Sequence, residues 1–194
     1  FLKPMGIGVE TRRTANFADG GFRGFRMVFA ETPSNPGLDL CDIAAVAADA
    51  RGAGAIMVCD NTTMTPLGQR PLDLGADVVV SADTKSVNGH SDVLFGHVAS
   101  RDREIMAAVS DWRRLAGAIP GPFEAWMVHR GLETLEVRFG RMCDTAGLIA
   151  EQRGNVATHP VGRATFVAAL ERASHIVCNC GFELISESLC HGKR

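Results

Sequence analysis

The sequence predicts an α/β protein, a mixed and mostly parallel sheet flanked by helices, on three observations. Short apolar runs alternate with stretches of helical periodicity, and 21 glycines cut the chain into units of one kind or the other. The apolar runs do not alternate with polar residues, which suits parallel strands covered on both faces. The 194 residues carry 20 basic and 22 acidic side chains, a balance of 20 − 22 = −2, and 46% are hydrophobic. That is enough apolar chain to bury one sizeable core.

The elements follow in order. Arg26 to Glu31 reads as a short buried strand, stopped by Thr32-Pro33-Ser34-Asn35-Pro36-Gly37, a run of turn formers. Leu40, Ile43, Ala44, Ala47 and Ala50 recur at helical spacing, with Asp39 as the expected cap and Gly52 and Gly54 as the stop. Ala55 to Asp60 is a strand ending in a carboxylate. Asp77 to Val80 and Val93 to Ala99 read as two more strands. From Arg101 the pattern turns helical: Ile105 to Leu115, then Phe123 to Gln152 as one long helix that Pro122 starts. Gly131 inside that helix costs about 1 kcal/mol against Ala, so a kink or a close approach is expected there. Arg163 to His175 is a last helical segment, and no internal repeat or low-complexity tract stands out.

Composition excludes several classes of function. The six cysteines are too sparse for a disulfide scaffold, and their spacing forms no zinc pattern, so a reducing, cytoplasmic setting is expected. Scattered charges argue against nucleic acid as a partner. No apolar run approaches the roughly 18 residues needed to span a membrane. The chain opens Phe1-Leu2-Lys3-Pro4 and contains no Tyr, which suggests a piece of a longer protein.

Asp60 and Lys85 are the first candidates for chemistry. Asp60 closes one strand and Lys85 lies just past another, so both belong at one sheet edge, where open α/β sheets bind ligands. A carboxylate there can hold a protonated ring nitrogen, and a desolvated lysine amine can condense with a carbonyl. The bland alternative is that Asp60 caps a turn and Lys85 is solvated, because polar residues collect where strands run into loops.

The surrounding segments decide between these readings. Glu31-Thr32-Pro33-Ser34-Asn35-Pro36, Asp60-Asn61-Thr62, Pro71 to Asp77, Thr84-Lys85, Asn88-Gly89-His90-Ser91-Asp92 and Arg130-Gly131-Leu132-Glu133-Thr134-Leu135 stand in a shared order. In that set the chain resembles the pyridoxal-phosphate enzymes of cysteine and methionine metabolism, the cystathionine γ-synthase and γ-lyase family. The resemblance is strong from about Val28 to Ala150. It implies a fold-type-I pyridoxal-phosphate transferase, with residues 1–150 as part of the large domain. Residues 151–194 would then be a connecting segment and a remnant of the small α+β C-terminal domain.

The resemblance also implies roles. Lys85 would hold pyridoxal 5'-phosphate covalently and later shuttle protons, with Asp60 the partner of the pyridine nitrogen. Asn35 would lie near the ring oxygen, and Thr84 would contact the phosphate. Thr63 is a weaker candidate, and His90 is expected to fix its loop by hydrogen bonding. Where the family has a serine three places before the lysine this chain has Ala82, with Ser81 and Asp83 around it, so one phosphate hydrogen bond would be lost unless Ser81 supplies it. Ser86 stands in for the aromatic residue that follows the lysine. The family's stacking tyrosine and its phosphate loop would lie upstream, and its substrate-carboxylate arginine downstream. In the tail, Cys178 would stand near a substrate-positioning serine. Cys178-Asn179-Cys180 with His175 and His191 does not meet metal-ligand spacing, so no metal is expected. Arg130 and Arg138 are expected to be helix-surface or interface charges.

The implied function is γ-elimination on a sulfur-containing amino acid, most closely that of a cystathionine γ-lyase giving cysteine, 2-oxobutanoate and ammonia. Gly117 to Phe123 carries that preference. The γ-replacement enzymes, cystathionine γ-synthase and homoserine-ester sulfhydrylase, are the alternative. An inactive truncated homologue serving only assembly is an alternative of another class. As partners the resemblance implies further copies of the chain, a homo-oligomer built as a dimer of dimers.

Overall fold

The structure is a computed structural model that describes residues 2–152. Four strands form one sheet in the order β1 (Met27–Glu31), β2 (Ile56–Asp60), β3 (Val78–Ser81) and β4 (His97–Ser100). β1 pairs with β2 and β2 with β3 in parallel, and β4 runs antiparallel to β3. The mostly parallel sheet expected from the alternation is therefore present. Its register aligns Glu31 with Asp60 and Asp60 with Val80. Three strand ends thus lie at one edge.

Between β1 and β2 runs α1 (Ile43–Gly52), rich in alanine, the best helix former. Its buried residues Ile43, Val46, Ala47 and Ala50 fall at i, i+3, i+4 and i+7, one face of a helix. That face packs on Val28 and Ala30 of β1 and Met57 and Cys59 of β2 to make the main core. The cap is Asp42, whose carboxylate accepts the Ala45 N–H at 3.1 Å. Asp39, expected to cap, is instead buried, facing Arg13 at 3.3 Å while its own N–H bonds the Ser34 hydroxyl. The helix consequently starts after Leu40, which is left exposed.

The connection from β2 to β3 holds one turn of helix, α2 (Thr65–Gly68), and a 3-10 turn at Pro71–Asp73. Asp77 ends it by accepting the Met57 N–H at 2.8 Å. β4 is shorter than the expected Val93 to Ala99, beginning at His97. Val93 instead joins Val87 and Val128 in a second small core, with Phe95 and Met127 packed against it.

α3 (Arg103–Ala116) is capped by Asp102, which accepts from Glu104 and Ile105, and is stopped by Gly117 at φ +70°. The single helix expected over Phe123 to Gln152 is two helices, α4 (Pro122–Leu132) and α5 (Leu135–Gln152). The break falls just after Gly131, which is buried and where a Cβ would lie 2.8 Å from the Asn88 Cα and closer still to the Asn88 carbonyl oxygen. α4 lies directly against the loop after β3.

Two-sided coverage does not hold for β1. Val28 and Ala30 are buried, but Met27 and Phe29 on its other face are 55% and 53% exposed among the described residues. Arg163 to His175 and the cysteine and histidine positions of the tail lie outside those residues.

Gly131→Ala is expected to destabilise the fold by about 1–3 kcal/mol in chemical denaturation, because overpacking against backbone outweighs the helical preference for Ala. Gly140→Ala on α5, where a Cβ meets nothing within 4 Å, is expected to be neutral or to stabilise by up to about 1 kcal/mol. Equal stabilities for the two variants would contradict the close approach to Asn88.

Candidate functional site

The carboxyl ends of the three parallel strands are joined by two buried or half-buried amides. The Asn61 N–H donates to Val80 O at 2.9 Å, linking β2 to β3. Its side-chain amide exchanges hydrogen bonds with Gln69: Nδ2 donates to Gln69 O at 2.9 Å and Gln69 Nε2 donates to Asn61 Oδ1 at 3.0 Å. Gln69 Nε2 also donates to Thr32 O at 3.0 Å, which brings in the end of β1. Thr62 Oγ1 accepts the Ala82 N–H at 2.8 Å and fixes the start of the loop after β3. Each tie satisfies a polar group that would otherwise cost about 1–3 kcal/mol when buried.

On this edge each parallel strand delivers one sequence-predicted residue. Asn35 lies on the exposed loop after β1, whose shape comes from Ser34 and Asp39 bonding each other's backbone and from Leu38 N–H on Ser34 O. Asp60 closes β2 and is half-buried. Its Oδ1 accepts the Thr62 N–H at 2.9 Å, and Oδ2 has no partner among the described residues. Lys85 follows β3 on a turn closed by Lys85 N–H on Ala82 O at 3.1 Å, Asn88 N–H on Asp83 O and Gly89 N–H on Lys85 O. Its side chain is exposed and forms no hydrogen bond or ion pair among the described residues. A partly unpaired carboxylate and a free amine therefore sit at the same edge.

Thr84 is tied into the loop. Its hydroxyl accepts the Phe95 N–H at 2.9 Å and donates to Phe95 O at 3.2 Å. Ser81, the last residue of β3, is buried and its hydroxyl finds no partner among the described residues. Thr63 is exposed beside Asp60. His90 Nδ1 lies 2.7 Å from Asn88 O, the loop-fixing bond expected of it.

Three arrangements were missed in the sequence. Asp83 is buried and pairs with His97 of β4 at 2.8 Å, just across from the end of β3. The bond to the carboxylate holds His97 above the ordinary imidazole range although burial opposes it. Nothing local marks this pair, because 14 residues separate its members. The two arginines expected at the helix surface also hold the loop. Arg130 meets Asp92 at 3.1 Å, and Asp92 accepts from the buried Asn88 amide at 2.7 Å. The Asn88 hydrogen bond and Arg130 together lower the Asp92 pKa. Arg138 donates to the carbonyls of Ser86 at 2.6 Å, Val87 at 3.1 Å and Gly131 at 2.7 Å, and burial lowers its pKa. The shared order of the 88–92 and 130–135 segments is thus one packed interface.

A carboxylate for a cationic ring atom, an amine for a carbonyl and hydroxyl donors for an anion form a donor set that fits a phosphorylated heteroaromatic aldehyde. Residues 9–177 match the family described as Cys/Met metabolism PLP-dependent enzyme. A Streptomyces coelicolor protein, provisionally named a cystathionine gamma-lyase, is 50% identical over 151 residues, 77% of this chain and 38% of that protein. An L-methionine gamma-lyase of Treponema denticola is 42% identical over 149 residues, 74% of this chain and 36% of its own. The solved cystathionine gamma synthase of Xanthomonas oryzae pv. oryzae, in complex with cystathionine, superimposes with a TM-score of 0.66 at 40% identity. It covers 70% of this chain and 38% of that one. The chain therefore spans less than half the length of these relatives.

Protonated His97 beside Asp83 gives a pH signature. Its folded pKa is raised above the ordinary 6.5, so the pair's contribution to stability is full below about pH 6.5 and is lost as pH rises through the folded value. His97→Gln is expected to remove that fall. Denaturation of both proteins between pH 5 and 9 (roughly the range bracketing a histidine) checks it, and an unchanged pH profile would deny the pair.

Proposed function

This chain belongs to the Cys/Met metabolism PLP-dependent enzyme family, and on that premise we propose that it is the lysine-bearing part of a pyridoxal-phosphate-dependent carbon–sulfur lyase, acting as a cystathionine γ-lyase. Pyridoxal phosphate is the family's cofactor. The observation that carries the reading is the common edge at which β1, β2 and β3 deliver Asn35, Asp60 and Lys85, with the Lys85 amine unengaged.

When bound, the cofactor supplies an electron sink for the bond-breaking at the substrate α-carbon. Lys85 Nζ would hold it covalently, and the same amine, once free, would take the substrate's α-proton. The Asp60 carboxylate would pair with the ring nitrogen and favour its protonated form, and the Thr62 N–H holds that carboxylate in place. Asn35 would serve the ring oxygen. Thr84, on rotating its hydroxyl away from Phe95 O, and Ser81, whose hydroxyl has no partner among the described residues, would donate to the phosphate. With cystathionine and water as reactants, the products are cysteine, 2-oxobutanoate and ammonia.

In this reading residues 1–150 are part of the large domain and 151–194 lead into a remnant of the small one. The working protein is a cytoplasmic homo-oligomer, a dimer of dimers. The uncovered apolar face at Met27 and Phe29 supports association. No described helix is long and apolar enough to cross a membrane.

Borohydride reduction with pyridoxal phosphate, followed by peptide mapping, is expected to label Lys85, and a label confined to another lysine would overturn the assignment. Asp60→Asn is expected to weaken cofactor affinity about tenfold or more in equilibrium dialysis, as for loss of a charged hydrogen bond. The 194-residue chain by itself is expected to self-associate and to show little turnover of cystathionine. Phe29→Lys should reduce the association seen by light scattering, and a monodisperse monomer that turns over cystathionine would contradict this arrangement.

A further inference from the structure

The turn that carries Lys85 is tied on both sides, and the two sides differ in kind. Before Lys85 lie three separate anchors to neighbouring strands and loops: Ala82 on Thr62, Asp83 on His97, and Thr84 on Phe95. After it, the carbonyls of Ser86 and Val87 leave the turn facing α5, and one side chain takes both of them. Arg138 reaches Ser86 O with Nη1 and Val87 O with Nη2, while Nη2 also bonds Gly131 O and Nε bonds the Thr134 hydroxyl at 3.0 Å. The planar guanidinium can serve several acceptors at once, which an ammonium cannot match. Arg138 has no carboxylate partner among the described residues, so its charge is directed at three carbonyls and one hydroxyl. The fit also requires Gly89, whose φ of +75° suits glycine and where a Cβ would collide with the guanidinium.

We propose that Arg138 is the positioning residue of Lys85, capping the carbonyl end of the lysine's turn and so fixing where its amine stands. The inference rests on the reading of Lys85 as the cofactor lysine. Lys85 has no side-chain tie of its own among the described residues, so the backbone of the turn sets the place of its Nζ. A displacement of about 1 Å at a reacting group can cost on the order of 10²-fold in rate. Arg138 touches neither substrate nor cofactor in this role. It acts through Ser86 and Val87.

The test measures two quantities in the full chain: the rate at which borohydride fixes pyridoxal phosphate on Lys85, and hydrogen exchange of the Asn88 and Gly89 amides without cofactor. Arg138→Ala is expected to slow labelling of Lys85 about tenfold or more and to raise exchange at both amides. Millimolar methylguanidinium should restore the labelling rate, and the same concentration of methylammonium should not. Arg138→Lys keeps the charge and most of the chain, so it reports even if the alanine variant fails to fold. It is expected to be slowed with raised exchange. Wild-type labelling rates in Arg138→Lys, with or without raised exchange, would overturn the positioning role, as would slow labelling that methylguanidinium leaves unrestored in a folded Arg138→Ala. A wild-type protein labelled elsewhere than Lys85 would overturn the cofactor reading itself, and this role with it.

Discussion

One amide pair, buried Asn61 with half-buried Gln69, ties the site edge together. Parallel strands offer carboxyl ends at the same edge, but each end then runs off into its own loop. Asn61 joins β2 to β3 through its backbone, and Gln69 joins that junction to Thr32 after β1. With the strand ladders and the Thr62–Ala82 tie, this pair holds the three strand ends in one arrangement. Asn61 is 3% exposed, so its amide must be fully bonded or carry a desolvation penalty of about 1–3 kcal/mol. Stability and site geometry are coupled at this point.

The loop after β3 shows the same logic at larger scale. Its anchors come from four directions: β2 through Thr62, β4 through His97, the loop ahead of β4 through Phe95, and α5 through Arg138. α4 adds backbone contact at Gly131 and a charge at Arg130. A lysine on such a loop can be chemically free while its backbone is held. That separation would suit the role proposed for Lys85, because such a side chain needs freedom and its base needs a fixed position.

The face of β1 at Met27 and Phe29 places a different demand on the protein. Half-exposed apolar side chains on a strand that lies at the edge of the sheet among the described residues favour association. The same strand ends in Glu31, at the site edge. The exposed apolar face and the site edge thus meet on one short element.

By itself the sequence determined the alternation of elements, the parallel strands and the residues at their ends. Apolar runs, turn formers and helical spacing are local signals, and the placement of Asp60 and Lys85 follows from strand direction alone. The resemblance in the ordered segments pointed to the cofactor, and residues 9–177 match that family. Only the tertiary structure decided that Asp42 and not Asp39 caps α1, since Arg13 and Ser34 reach Asp39 from elsewhere in the chain. It alone showed where the helix breaks and what Gly131 packs against, what Asp83 and His97 do for each other, and that Arg138 clamps the loop carbonyls. The Asp83–His97 and Arg138–Ser86 pairs are separated by 14 and 52 residues, and no periodicity or propensity reports a contact made between distant segments.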